Sequence, residues 1–367
     1  MSGARLSSWE VYSFFINYVF GAGVLALPYT FHHNGVLICF FFLLISVALA
    51  WSLQTQLLAI SDQLTLEERS LEPLLRTGDR KVQYQWDMPA IIRYCLGSQH
   101  WGFFFPFFAL ANIASLATYN NIVGTAIGAL LMEECNYSGE VEDQCLWRYR
   151  VGVLMFASIA VVLTVMDYKK QAVLQSVMTL LRVVLVLTIV FLIIRTGSFG
   201  NYSPSRLILV HSCSVGEAFA LILFACLYHG ATPSIIAVAK ADTHSQQQIA
   251  RFIALSTFFS YLLIGVPAAL LLPAVPENIS LLYASVSQKS FWLNVSTSLL
   301  LLIPMLQICA NASMYGQTLS GAVTSWLYGS DHHSVRHSHP LCYLAIRLAV
   351  LLPGVGLAWH IPRLVRK

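Results

Sequence analysis

Two apolar runs hold the residue types with most chemical reach, because each carries helix-breaking residues where continuous helix is otherwise expected. The first reads Asn17-Tyr-Val-Phe-Gly-Ala-Gly-Val-Leu-Ala-Leu-Pro28, with Gly21, Ala22 and Gly23 at its centre. The second runs from Gly216 to Pro233 and places Tyr228, His229 and Gly230 shortly before its proline. An interior glycine costs a helix about 1 kcal/mol and an interior proline about 3 kcal/mol. Backbone freed from helical pairing survives in hydrocarbon only where it is buried in protein or lines a cavity. A cavity at the interruptions is therefore the first inference. A packing notch is the competing reading of Gly21 to Gly23, since small residues also let membrane helices approach closely.

Side chains elsewhere supply polar groups suited to such a cavity. Asn112, Ser115 and Tyr119 repeat at spacings of three and four and so share one helical face. Polar groups are disfavoured toward lipid, which turns that face inward. Tyr119 is then the first side-chain candidate for the cavity, with hydrogen bonding between helices as the equal alternative. His229 titrates near physiological pH when unperturbed, so it reads either as a proton relay or as a neutral ring bonded to a backbone carbonyl. Arg182 lies deep in an apolar run and is expected to face the interior, whereas Arg347 is close enough to the end of its run to snorkel. The Asp331-His-His-Ser-Val-Arg-His-Ser-His339 loop invites a metal reading. A solvated loop fits it better, and no metal site is assigned. Phosphate-binding loops and paired carboxylates are missing from the sequence, so nothing supports an enzyme.

The elements that must position these residues are membrane helices. The chain has 367 residues, is 57% hydrophobic and 10% charged, and contains several apolar runs of about 20 residues, enough to cross a hydrocarbon core of roughly 30 Å. An all-α polytopic membrane protein follows. Nine spans are predicted, over about 9–31, 35–60, 100–132, 150–166, 171–194, 214–239, 249–272, 291–315 or beyond, and 341–360. The first ends in the interruption rather than in a small-residue cleavage site, and reads as a retained span. A polar cytoplasmic stretch, 62–99, separates the second span from the third, and its 86–97 portion is expected to form an amphipathic helix at the interface.

The net charge of +4 is small and dispersed and gives no support to a nucleic-acid partner. Basic residues such as Arg76, Arg80, Lys81, Lys169 and Lys170 fall in loops on one side, which favours a cytoplasmic N-terminus. Sequons at Asn136, Asn201 and Asn278 fall in the opposite, outer loops as glycosylation candidates, while those at Asn294 and Asn311 lie inside a span and are discounted. Cys135 and Cys145 share an outer loop and form a disulfide candidate on the oxidising side.

The stretch Gly21-Ala-Gly-Val-Leu-Ala-Leu-Pro-Tyr29 resembles the first-helix signature of the amino acid/auxin permease family. The run from Phe224 to Pro233 is similar to that family's interrupted sixth helix, and the ninth span supports the likeness more loosely. The resemblance implies a LeuT-like inverted repeat with broken first and sixth helices, in one transmembrane domain over 1–367. Its first repeat covers about 9–194 and an incomplete second repeat about 214–362. It also implies that a substrate carboxylate is held by the amides of Gly21, Ala22, Gly23, Val24 and Leu25 at the N-terminus of a half-helix. Tyr119, Phe224, Ala225, Tyr228 and His229 complete the implied site.

For ion coupling, Asn17 aligns with a sodium-binding asparagine of one branch of the family, and the eighth span offers Thr297 and Ser298 beside it. Alignment on Pro304 puts Leu300 and Leu302 where that branch has threonines, so the sodium site is incomplete. Glu217 and His229 then stand as proton carriers. No organic cofactor is implied, only sodium or a proton as coupling ion.

The implied activity is secondary-active amino acid transport by alternating access, in the plasma membrane or an endolysosomal or vacuolar membrane. The second repeat stands one helix short. A truncated product, a partner subunit supplying the missing wall and a nine-span variant each account for that. A membrane sensor or regulator that binds an amino acid without moving it is the alternative from another class.

Overall fold

The computed structural model describes residues 6–20, 23–71, 88–131, 143–166, 168–196, 215–227, 229–239, 243–275, 279, 291–328 and 338–360. Among them the chain is helical, apart from short connections and one isolated bridge that clips Leu6 to Ala239. The first span is a pair, α1 (Ser8–Val19) and α2 (Gly23–Asn34). There follow α3 (Val36–Leu71), the short α4 (Met88–Leu96), α5 (Ser98–Leu131), α6 (Asp143–Val165) and α7 (Tyr168–Thr196). The sixth span is also divided, into α8 (Val215–Cys226), a 3-10 turn (His229–Ala231) and α9 (Thr232–Ala237). The chain continues through α10 (Thr243–Leu271), α11 (Phe291–Tyr328), α12 (Pro340–Ala349) and α13 (Leu352–His360).

Among the described residues eight helical segments are long and apolar enough to cross a membrane, and the α1–α2 pair, bent by 47°, brings them to nine. This agrees with the predicted span number. Within the predicted amphipathic segment 86–97 the chain forms α4, stopped by Gly97, whose φ of 88° is open to glycine and whose N–H donates to the Arg93 carbonyl at 2.9 Å. The eighth span does continue beyond 315, to Tyr328, through small and polar residues that lower its hydropathy but are helical and buried. Cys135 and the three sequons Asn136, Asn201 and Asn278 lie outside the described residues, as do 331–337 of the histidine-rich loop. Cys145 falls in the first turn of α6, its side chain outside the described set.

The distribution of polarity is that of a bundle in lipid. On α7, Val173, Leu180, Leu187 and Ile194 are exposed while Gln171, Gln175, Thr179 and Arg182 on the other face are buried. A helix in water shows the reverse; in hydrocarbon, polar groups are driven to the interior. The helix α11 is the most enclosed of the candidate spans, with 76% of its apolar stretch buried, and it packs on α5, α6 and α7. Polar contacts join it to its neighbours: the Ser313 hydroxyl donates to Gln171 Oε1 at 2.9 Å and Gln317 Nε2 donates to the Met166 carbonyl at 2.6 Å. Small residues set a close crossing of α5 and α6, where a Cβ added to Gly152 on α6 would lie 3.0 Å from Gly124 Cα on α5. At its start α1 is held by a capping box between Ser7 and Glu10, and Lys169 Nζ reaches Glu10 at 2.9 Å from the start of α7.

Candidate functional site

The last carbonyls of a helix have no amide four residues on, so a helix that ends inside a bundle must find other donors. At the end of α1 they come from three other helices. Ile16 O accepts from the Phe20 amide at 3.1 Å and also from Arg182 Nη1 on α7. Asn17 O accepts from Asn311 Nδ2 on α11 at 2.6 Å, and Val19 O accepts from the Tyr261 hydroxyl on α10 at 3.1 Å. The interruption is thus built into the packing of α1 against α7, α10 and α11.

The second interruption meets the first. The helix α8 ends at Cys226, and Pro233, near the start of α9, suits a new helix because its missing N–H is not needed there. Ala225 O accepts from the same Tyr261 hydroxyl at 3.0 Å, so one phenol proton serves carbonyls of both broken spans. A Cβ on Gly23, the first residue of α2, would fall 2.5 Å from Ala225 Cβ. The backbones of the two breaks therefore come into contact at Gly23.

Beside this junction lies a buried aromatic group. Tyr18 of α1 stacks on Tyr315 of α11 with centroids 4.5 Å apart, and Tyr119 of α5 meets Tyr315 edge-on at 5.5 Å. Tyr119 faces inward as predicted, with Asn112 and Ser115 buried on the same face. The side-chain amide of Asn17 donates to α7, at 2.9 Å to Gln175 Oε1 and 3.2 Å to the Thr179 hydroxyl.

Arg182 is buried, 3% exposed, with Cζ 4.8 Å from the centroid of the Phe20 ring. Nη1 donates to Ile16 O, while Nε and Nη2 have no hydrogen-bond partner. Among α7 and the helices it chiefly packs on, α1, α10 and α11, the single acid is Glu10. It lies six residues before Ile16, roughly 9 Å along the helix, and is paired with Lys169. A guanidinium stays charged. Burying an ion costs several kcal/mol, against up to about 2 kcal/mol returned by a helix C-terminus in a favourable geometry. The charge of Arg182 is therefore under-compensated by the protein itself.

Other predicted residues are placed elsewhere. His229 Nε2 lies 2.7 Å from the Ala50 carbonyl on α3, and the neighbouring Thr232 hydroxyl donates to Gln54 Oε1 at 2.7 Å. Phe224 is exposed: α8 buries Ala218, Ile222 and Ala225 on one face, and Phe224 projects from the other. Glu217 is exposed in the first turn of α8, away from the junction. Ser298 is exposed and stands thirteen residues before Asn311, roughly 20 Å along α11, with Thr297 one residue further. The eighth-span residue that reaches Asn17 is Asn311. Val24 and Leu25 are buried next to the break, while Gly21, Ala22 and Tyr228 lie outside the described residues.

Sequence reasoning missed Gln175, Thr179, Asn311, Tyr261 and Tyr315. A signal for α7 was present, since Gln171, Gln175, Thr179 and Arg182 recur once per turn in an otherwise apolar run. Asn311 was discounted with its sequon, although an amide in a membrane helix is itself a sign of interior contact.

No family model matches the chain, and no curated protein matches it. Among solved structures it is similar to MhsT in complex with L-phenylalanine, at 10% sequence identity and a TM-score of 0.62, over 98% of this chain and 81% of that one. That likeness shows a LeuT-type membrane fold, the architecture to which two interrupted spans meeting at Gly23 and Ala225 belong.

Proposed function

We propose that this chain carries amino acids across a membrane by alternating access, with the substrate held where the first and sixth spans are interrupted. The observation that carries the reading is the junction itself: Gly23 against Ala225, with the Tyr261 hydroxyl bonded to a carbonyl from each broken span. Discontinuous helices that meet inside a bundle leave pairs of helix ends free to face small charged ligands. A zwitterion matches such a pair of ends. The fold shared with MhsT, solved with L-phenylalanine, supports the substrate class. The aromatic group of Tyr18, Tyr119 and Tyr315 adjoins the first break and is the natural lining for a side chain.

Sodium coupling needs a set of hard oxygen ligands, and Ser298, exposed and roughly 20 Å along α11 from the Asn311 that meets Asn17, is too far to join one. A proton gradient is the driving force this reading favours. The test is uptake of a labelled amino acid panel into proteoliposomes, with sodium and pH gradients imposed separately. Uptake of at least one amino acid is expected, greater with the pH gradient, and lost in Gly23→Leu while the variant still inserts and stays monodisperse. Undiminished uptake by that variant rejects the junction as the site. Saturable binding with no counterflow of label rejects transport in favour of a membrane sensor.

A further inference from the structure

We propose that Arg182 is the receptor for the carboxylate of the bound amino acid, through the open edge of its guanidinium formed by Nε and Nη2. The inference rests on the amino acid reading above and names the group that holds the anionic end. Nη1 is occupied by Ile16 O, which fixes the plane of the guanidinium against the last turn of α1. The two nitrogens left without partners are Nε and Nη2. They are neighbours on one side of the fork, and their N–H bonds run parallel, the geometry that a carboxylate accepts with both oxygens. A spherical anion uses that pair less well, and a neutral acceptor leaves the charge uncompensated.

The surroundings give the same answer. Neither α7 nor α1, α10 or α11 carries an acid within reach, because Glu10 is distant and already paired with Lys169. The carbonyl end of α1 offers partial negative charge only. A ligand carboxylate supplies the whole countercharge. Both free nitrogens are shielded from solvent, so the ligand reaches them when the two interrupted spans move apart. Binding then neutralises the charge at the moment of closure, which couples occupancy of the site to the closed arrangement.

The test uses the purified full chain, Arg182→Lys and Arg182→Met, with the twenty amino acids and their carboxamides as probes in buffer of constant chloride. Ligand binding is read from the rise in Tm with ligand concentration. For the wild type, at least one amino acid is expected to bind roughly ten- to hundredfold more tightly than its carboxamide, the range of a charge-assisted hydrogen bond lost. Arg182→Lys, which keeps the charge without the fork, is expected to narrow that ratio, and Arg182→Met to abolish it. Without ligand, Arg182→Met is expected to melt no lower than the wild type, since it removes an under-compensated charge. The proposal is overturned if Arg182→Lys keeps the full preference, or if no amino acid is preferred over its carboxamide by the wild type. Vesicle uptake separates this inference from the one it rests on: a preference that depends on Arg182 without uptake removes transport and leaves the receptor standing. Uptake with an unchanged preference in Arg182→Lys does the reverse.

Discussion

Tyr261 is the residue on which both interruptions lean. Its hydroxyl has one proton and stands within hydrogen-bond distance of two carbonyls, Val19 O at 3.1 Å and Ala225 O at 3.0 Å. Tyr261→Phe keeps the ring contact with Phe20, whose centroid is 5.0 Å away, and removes the donor. A buried acceptor left without its partner costs about 1–3 kcal/mol, so this variant is expected to melt at lower temperature by that equivalent and to lose uptake more than folding. A melting temperature equal to the wild type contradicts the bridging role. Asn311→Ala removes the donor to Asn17 O and leaves a gap beside α1. It is expected to destabilise by a similar amount, whereas Ser298→Ala, on the exposed face of α11, is expected to leave both stability and sodium response unchanged.

At the scale of elements, the spacing of helices is set by where a side chain is missing. A Cβ on Gly152 would come 3.0 Å from Gly124 Cα and 3.2 Å from Gly124 O, and backbone does not yield as a side chain does. On Gly102 of α5 a Cβ meets nothing within 4 Å. Gly152→Ala is therefore expected to force α5 and α6 apart and lower the melting temperature, while Gly102→Ala is expected to be neutral or stabilising, by up to about 1 kcal/mol of helix propensity. Equal effects of the two substitutions refute close packing at the α5–α6 crossing. The last span is tied in by the same means: a Cβ on Gly354 of α13 would lie 2.8 Å from Leu116 Cβ, and the Tyr149 hydroxyl donates to Ala358 O at 2.9 Å.

At the scale of the molecule, the first and the sixth spans are both divided, and their breaks meet inside one continuous buried core. The carbonyl end of α1 is held by donors from α7, α10 and α11, and the end of α8 by Tyr261 alone among the bonds described above. Beyond the end of α8 the second break is held to α3 as well, by His229 on Ala50 O and Thr232 on Gln54. An imposed pH gradient is expected to drive uptake into vesicles and a sodium gradient to add little. Strict sodium dependence of uptake rejects proton coupling.

The apolar runs, by their length and by the low charge of the chain, determined that it is a membrane bundle of about nine spans, since hydrocarbon accepts only paired backbone. Glycine and proline in the first and sixth runs likewise marked both interruptions, because helix-breaking is a local property. Which side chains stand at those interruptions was decided only by the tertiary structure. Arg182, Tyr261 and Asn311 come from three separate helices, and their meeting depends on how α7, α10 and α11 rotate and cross in packing. For the same reason Phe224, next to Ala225 in the chain, faces away from the junction that Ala225 forms: adjacent residues on a helix point roughly 100° apart, and packing chooses the face.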